Sequence, residues 1–224
     1  MARIEFKAFE AVIFDLDGTL VDSMGMWKNV DRDYLSRFDI PCPADLQREL
    51  EGLSLHETAL YFIRRFDLKD SPEVIKADWR QMVLEQYCYG VAMKSGAPEL
   101  LHFLKKMGLR LAIASSNDAV LIRDFLKARE LEDVFDVLVT CDDVKANKPD
   151  PAVYLTAAQL LKTPPEKCLV FEDVVRGIEA GKRAGMTVYA VADDWSAAQE
   201  SKKRALADGW VDDFHELLPD ELTT

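Results

Sequence analysis

The sequence predicts an α/β protein, a doubly wound parallel sheet carrying a small helical insert, and three observations predict it. The run Ala11-Val12-Ile13-Phe14 is apolar throughout and ends in Asp15-Leu16-Asp17-Gly18-Thr19. A strand with no polar face needs helices on both sides, as a parallel sheet provides. From about residue 93, helical and strand patterns alternate, as repeated βα units require. Between these regions, residues 24–89 keep a helical spacing and show no convincing strand.

Taken in order, the first strand delivers Asp15 and Asp17 to its carboxyl end. In open α/β sheets that edge binds ligands, because loops diverge there and helices present unpaired N–H groups. Two crowded carboxylates repel each other unless a cation holds them, so this stretch predicts a metal. Trp27, Val30, Tyr34 and Phe38 then follow a helical spacing, as do Leu60, Ile63 and Phe66, and Val74, Trp79, Val83 and Tyr87. The turn signals Ile40-Pro41-Cys42-Pro43 and Asp70-Ser71-Pro72 separate the three helices. Residues 23–91 are therefore expected to form a helical lid inserted into a core of residues 1–22 and 92–224. Gly25 and Gly90 are its candidate hinges. Ser95-Gly96-Ala97-Pro98 opens a helix that Gly108 closes. Strands are expected over 109–114, 137–140, 168–171 and 187–191, with helices over 119–129, 151–161 and 174–184.

At 224 residues and 49% hydrophobic content the chain can bury a full core. A formal net charge of −12 argues against nucleic acid and anionic membrane surfaces as partners. A phosphate ligand must then be held locally. Cys42, Cys88, Cys141 and Cys168 are scattered without metal-ligand spacing, which suggests neither a zinc site nor a disulfide framework. Arg3, Glu5, Lys7 and Glu10 interrupt any apolar signal core, and no segment approaches the ~18 apolar residues of a membrane span. The expectation is a cytoplasmic protein with reduced thiols. With no heptad pattern or surplus apolar surface in view, it is expected to be a monomer.

Three further polar groups fall where parallel strands end. Ser115-Ser116-Asn117 follows the second strand, Lys148-Pro149 precedes a helix, and Glu172-Asp173 follows the 168–171 strand. Singly, each has an ordinary explanation as a helix cap, a surface loop or a helix-dipole pair. Together they lie at one edge of one predicted sheet and supply complementary roles. Two acidic loops can chelate Mg²⁺, which prefers hard oxygens and keeps several waters. A hydroxyl and an ammonium can hold a phosphoryl group.

These residues resemble the four motifs of the haloacid dehalogenase-like superfamily of phosphotransferases: Asp15-Leu16-Asp17-Gly18-Thr19, Ser115, Lys148 and Glu172-Asp173. Phe171-Glu172-Asp173 followed by the run from Gly177 to Gly185 is similar to the branch of β-phosphoglucomutase and the small sugar-phosphate phosphatases, and residues 24–89 resemble that branch's helical cap. The resemblance implies a Rossmann-like core and a catalytic nucleophile, Asp15, that forms an aspartyl-phosphate. It also implies that Asp17 is general acid and then base, with its backbone carbonyl on Mg²⁺. Asp15, Asp17, Glu172 and Asp173 would be the metal residues. Ser115, Ser116, Asn117 and Lys148 would bind the transferring oxygens, with Lys148 also orienting Asp15. Lys148 is preferred to Lys145 because Pro149 and a helix follow it.

An acid at position 17 favours phosphate esters over carbon–halogen or phosphonate cleavage, and the loop Glu51-Gly52-Leu53-Ser54-Leu55 offers no lysine for a Schiff base. The mutase of this branch uses a His and an Arg where this sequence places Trp27 and Leu55. The expected function is thus Mg²⁺-dependent hydrolysis of a small phosphorylated metabolite, a sugar or polyol phosphate. A phosphosugar mutase is the alternative, and a catalytically silent phosphate-binding regulatory protein is a third reading. Met24, Met26, Trp27 and Leu55 suggest a partly apolar roof over the substrate, whereas Trp195, Trp210 and Phe214 read as packing.

Overall fold

The computed structural model describes residues 4–219. Six strands form one sheet in the order β3-β2-β1-β4-β5-β6, every neighbouring pair parallel. The strands are β1 (Ala11–Phe14), β2 (Arg110–Ser115), β3 (Val137–Thr140), β4 (Cys168–Glu172), β5 (Thr187–Val191) and β6 (Gly209–Val211). The doubly wound sheet expected from the sequence is present. The edge strand β6 is an addition, since three residues are too few to show a periodicity.

Between β1 and the next strand run α1 (Met24–Ser36), α2 (Leu46–Leu50), α3 (Leu55–Phe66), α4 (Pro72–Glu85) and α5 (Ala97–Lys106). Helices α6 (Ala119–Ala128), α7 (Cys141–Val144), α8 (Ala152–Leu160), α9 (Val175–Arg183) and α10 (Glu200–Leu206) link the later strands. Local chemistry starts the insert helices where it should: Ser54 accepts from Glu57 N at 3.1 Å to cap α3, and Ser71 caps α4 with Pro72 in the first turn. In α3 the buried stripe is Leu55, Ala59 and Phe62. The expected stripe, Leu60, Ile63 and Phe66, is only partly buried, because a small Ala in the core escapes a search for large apolar residues. No helix among the described residues is long and apolar enough to cross a membrane.

Strand alternation sorts the core into two faces. Val12, Phe14, Ile113 and Phe171 share a cluster with Leu100 and Leu104 of α5 and Ile122 and Phe125 of α6. Ala11, Ile13, Ala114 and Val170 pack with Tyr154 and Ala157 of α8 and Ile178 of α9. The register pairs Phe14 with both Ile113 and Phe171. One step further, Asp15, Ala114 and Glu172 therefore stand side by side at the carboxyl edge, on the α8/α9 face.

The two linkers to the insert are paired with each other rather than loose. Val21 bridges Met93 in antiparallel fashion, Asp22 N donates to Ala92 O at 2.9 Å, and Lys94 N donates to Leu20 O at 2.8 Å. Gly25, expected as a hinge, is the second residue of α1, where an added Cβ would meet the Trp195 ring at 3.3 Å. Gly90 closes a π-helical turn, Gln86–Gly90.

Candidate active site

Asp15, Asp17, Ser115, Ser116, Asn117, Lys148, Glu172 and Asp173 all line one cavity of about 430 Å³, roofed by Met24, Trp27, Asp31, Gln47 and Leu55 of the insert. Met26, expected in that roof, is buried in the core cluster instead. The floor is built around Lys148, which is 2% exposed. Its ammonium donates to Asp15 Oδ1 at 2.6 Å, Glu172 Oε1 at 2.5 Å and Ala114 O at 3.2 Å. One cation thus ties together the three residues that the sheet register aligns.

Asp17 points the other way, toward the insert. Its Oδ1 accepts from Ser23 Oγ at 2.5 Å and Trp27 Nε1 at 3.0 Å, and its Oδ2 accepts from Asn117 Nδ2 at 2.8 Å. Asn117 Nδ2 also donates to Tyr87 OH at 3.3 Å. Asn117 is free for this because Asp118, not the Ser-Ser-Asn run, caps α6 through Val120 N and Leu121 N. Ser115 is the last residue of β2 and accepts from Asn117 N at 3.1 Å. The Ser116 hydroxyl lies 3.6 Å from Cys141 Sγ, while its carbonyl accepts from Leu55 N across the insert boundary.

Glu172, expected as a metal residue, is engaged with the protein on both oxygens. Lys148 and Tyr154 OH (2.9 Å) occupy Oε1, and Val174 N donates to Oε2 at 3.1 Å. Alternation turns this side chain under α9, where an added Cβ on Gly177 would lie 1.8 Å from Oε1. Glu172 is the buried counter-ion of Lys148, and the neighbouring Asp173 is left to face the first loop. There Thr19 Oγ1 donates to Asp173 Oδ1 at 2.9 Å, and the Asp173 carbonyl accepts from Ser196 Oγ at 2.8 Å. Lys203 Nζ donates to Ser196 Oγ behind it. Gly18 is what lets the two loops approach: its φ is +83°, and a Cβ would sit 2.3 Å from Asp173 Oδ2.

The floor holds more negative charge than its lysines balance. Burial pushes the Asp15 carboxyl up to about 7, with Lys148 opposing and Glu172 and Asp17 adding to the rise. Burial raises Asp173 well above the carboxylate range, reinforced by Glu172, Asp15 and Asp193. Burial works against the Lys148 ammonium, yet Asp15 and Glu172 outweigh it and hold its pKa well above the ordinary range. Among the described residues no three His, Cys, Asp or Glu side chains are grouped to hold a metal unaided. Two carboxylates, Asp15, which shares the single Lys148 charge with Glu172, and Asp173, nonetheless fit a hard cation that fills its shell with carbonyl, water or phosphate oxygens. Such a cation would reverse both upward shifts.

Residues 12–191 match the haloacid dehalogenase-like hydrolase family. The chain belongs to that family. A phosphorylated carbohydrates phosphatase of Thermotoga maritima is 34% identical over 183 residues, covering 81% of this chain and 85% of that protein. Hexitol phosphatase A of Escherichia coli is 33% identical over 181 residues, covering 80% and 81%. The crystal structure of CbbY from Rhodobacter sphaeroides in complex with phosphate superposes with a TM-score of 0.82 at 26% identity, over 96% of this chain and 99% of that one. The Rossmann-like core of haloacid dehalogenase-like hydrolases is therefore the fold seen here, and the chain is an enzyme of that family.

Several residues at the site carry no motif. Ser23, Trp27 and Tyr87 surround Asp17, and Tyr154 serves Glu172. Trp195, read as packing, is 49% exposed and lines the cavity beside Lys28, whereas Trp210 and Phe214 do pack in the core.

Proposed function

We propose that this protein is a Mg²⁺-dependent phosphatase of small sugar or polyol phosphates, working through an aspartyl-phosphate on Asp15. The observation that carries this reading is Lys148, held between Asp15 and Glu172 beneath the cavity floor. A buried lysine fixed in this way orients the Asp15 carboxylate without taking the place of substrate.

In the proposed reaction an Asp15 oxygen forms a bond to phosphorus while the bond from phosphorus to the substrate oxygen breaks. Asp17 gives its proton to the departing alkoxide. Asp17 then takes a proton from water as that water attacks the phosphorus of the aspartyl-phosphate, releasing inorganic phosphate and restoring Asp15. Ser115 is proposed to bind a transferring oxygen, and Lys148, whose three N–H donors are taken by Asp15, Glu172 and Ala114 O, to reach one only by giving up one of those contacts. Mg²⁺, held by Asp15, Asp173 and the Asp17 backbone carbonyl, would neutralise phosphate charge so that a carboxylate can approach an anion. The insert is proposed as the lid that keeps bulk water from the first step.

Hydrolysis is preferred to the mutase reaction because, among the described residues, the one cation lining the roof is Arg48, whose side chain is mostly in solvent. Trp27 spends its N–H on Asp17, Leu55 is apolar, and Arg48 is at the rim with its side chain 77% exposed beside Glu49. The relatives named as phosphatases of carbohydrates and hexitols support the substrate class. The test is phosphate release from a panel of sugar, polyol and nucleoside monophosphates, with Mg²⁺ and with chelator, beside a coupled assay for glucose 6-phosphate formation. Mg²⁺-dependent release concentrated on sugar or polyol esters is expected. Isomerisation of β-glucose 1-phosphate faster than phosphate release would make the protein a mutase.

A further inference from the structure

Helix α1 turns a stripe of Met24, Trp27 and Asp31 toward the cavity, the i, i+3, i+7 spacing of a single helical face. The first two suit a roof that excludes water. The third is an acid, 6% exposed, and burying an ionisable group costs free energy unless it is paired or fully hydrogen-bonded. Gln47 Nε2 of α2 donates to Asp31 Oδ2. Among the described residues Asp31 has no other hydrogen-bond donor and takes part in no ion pair. Its second oxygen is left for whatever enters the cavity.

The position of Asp31 says what that group is. Trp27, one turn earlier, touches the Asp17 carboxylate, so Asp31 lies about 6 Å further along the helix from the reacting end. A substrate whose phosphoryl group is at Asp15 would bring the carbons furthest from its ester oxygen to this level. An uncompensated carboxylate there accepts hydrogen bonds from hydroxyls and repels anions. Gln47 adds an amide carbonyl as a second acceptor. Glu51, also lining the roof, is taken up by Gln199 Nε2 and brings a further negative charge.

Resting on the phosphatase reading above, we infer that Asp31, supported by Gln47, is the specificity-determining residue that binds the distal hydroxyls of the substrate. It selects phosphomonoesters with a neutral, polyhydroxylated tail over bare esters and over those with a second phosphate. No covalent step is involved. Asp31 contributes to recognition, and the transfer chemistry stays with Asp15 and Asp17.

The experiment measures kcat and KM with saturating Mg²⁺ for wild type, Asp31→Asn and Asp31→Ala. The substrates are a panel of sugar and hexitol monophosphates, phenyl phosphate, which has no hydroxyl, and fructose 1,6-bisphosphate. Asp31→Asn is nearly isosteric and can keep the Gln47 contact, so it guards against a folding failure in the alanine variant. For the best hydroxylated substrate, Asp31→Ala is expected to raise KM about ten- to a hundredfold, the loss of one or two charge-assisted hydrogen bonds, with a much smaller change in kcat. Asp31→Asn should give an intermediate rise in KM. Phenyl phosphate turnover should stay within about twofold of wild type, and the relative rate with the bisphosphate should rise in both variants. Equal losses on phenyl phosphate and on the sugar esters would mean a structural role and overturn the inference, as would an unchanged preference among substrates. Wild type that cleaves phenyl phosphate but is indifferent to hydroxylated tails overturns the inference and leaves the phosphatase reading standing. Wild type that cleaves no ester removes both.

Discussion

Two buried acids at the site meet opposite conditions, and their behaviour follows from what faces them. Glu172 has a lysine, a tyrosine hydroxyl and a backbone N–H on its two oxygens. Asp31 has one amide, and burial pushes its carboxyl up to about 7 with only the Gln47 contact opposing. In the unfolded chain the same group titrates at an ordinary carboxylate pKa. Between those two values the folded state holds the extra proton, so stability is highest below the unfolded pKa and falls as pH rises through about 7. Asp31→Asn is therefore expected to raise the melting temperature at pH 8, by a stabilisation of up to about 4 kcal/mol, and to raise it much less at pH 5. Thermal unfolding at the two pH values measures this. A variant less stable than wild type at pH 8 would show that Asp31 has a compensating partner. None of this was legible in the sequence, where Asp31 is one acid among many. The available signal was its place in the Met24, Trp27, Asp31 stripe.

At the scale of elements, α1 does more than roof the cavity. Through Ser23 at its N-terminal boundary and Trp27 in its first turn, it holds the carboxylate proposed to supply the leaving-group proton. Trp27→Phe keeps an aromatic ring beside Tyr87, whose centroid lies 6.1 Å away, and removes only the N–H. Turnover of an alkyl ester, whose leaving group needs a proton, is expected to fall about tenfold or more, while phenyl phosphate falls much less. Equal losses on the two esters would contradict the assigned role of α1. Asp15, Ser115 and the Glu172-Asp173 pair are readable because each stands where a parallel strand stops, and β3 and β5 match their expected limits, whereas Lys148 lies beyond α7 and is readable only from the proline and helix that follow it. Glu172 and Asp173 cannot be told apart in sequence because adjacent carboxylates look alike. Only strand alternation and the space at Gly177 separate the counter-ion from the residue that faces the loop. The support from Tyr154 and from the Lys203–Ser196 pair left no trace, since a helical tyrosine or lysine carries no spacing signal.

For the whole molecule, the insert meets the core through the Tyr87 ring against Phe125 of α6, 5.2 Å between centroids, in a shared hydrophobic cluster, and through polar contacts around it. Ser54 N donates to Asn147 Oδ1 at 2.8 Å, Leu55 N donates to Ser116 O at 3.0 Å, and Lys76 pairs with Asp142 at 2.8 Å. The polar contacts are each worth little against solvent, so a rearrangement of the insert that keeps Tyr87 packed on Phe125 costs modest free energy. The paired linkers at Val21 and Met93 confine that rearrangement to a hinge-like path better than isolated glycines would. Small-angle scattering is expected to show the protein becoming more compact when Mg²⁺ and a phosphate analogue are added together. Identical curves with and without them would argue against a moving lid.

Phosphate is proposed to pass through Asp15, and mass spectrometry of enzyme quenched in acid during turnover of a hydroxylated phosphomonoester with Mg²⁺ tests this directly. Phosphate is predicted on the peptide that contains Asp15, labile to hydroxylamine as an acyl phosphate is, and absent from Asp15→Asn, which should fold normally and release no phosphate. Undiminished phosphate release by Asp15→Asn would contradict the account at its centre.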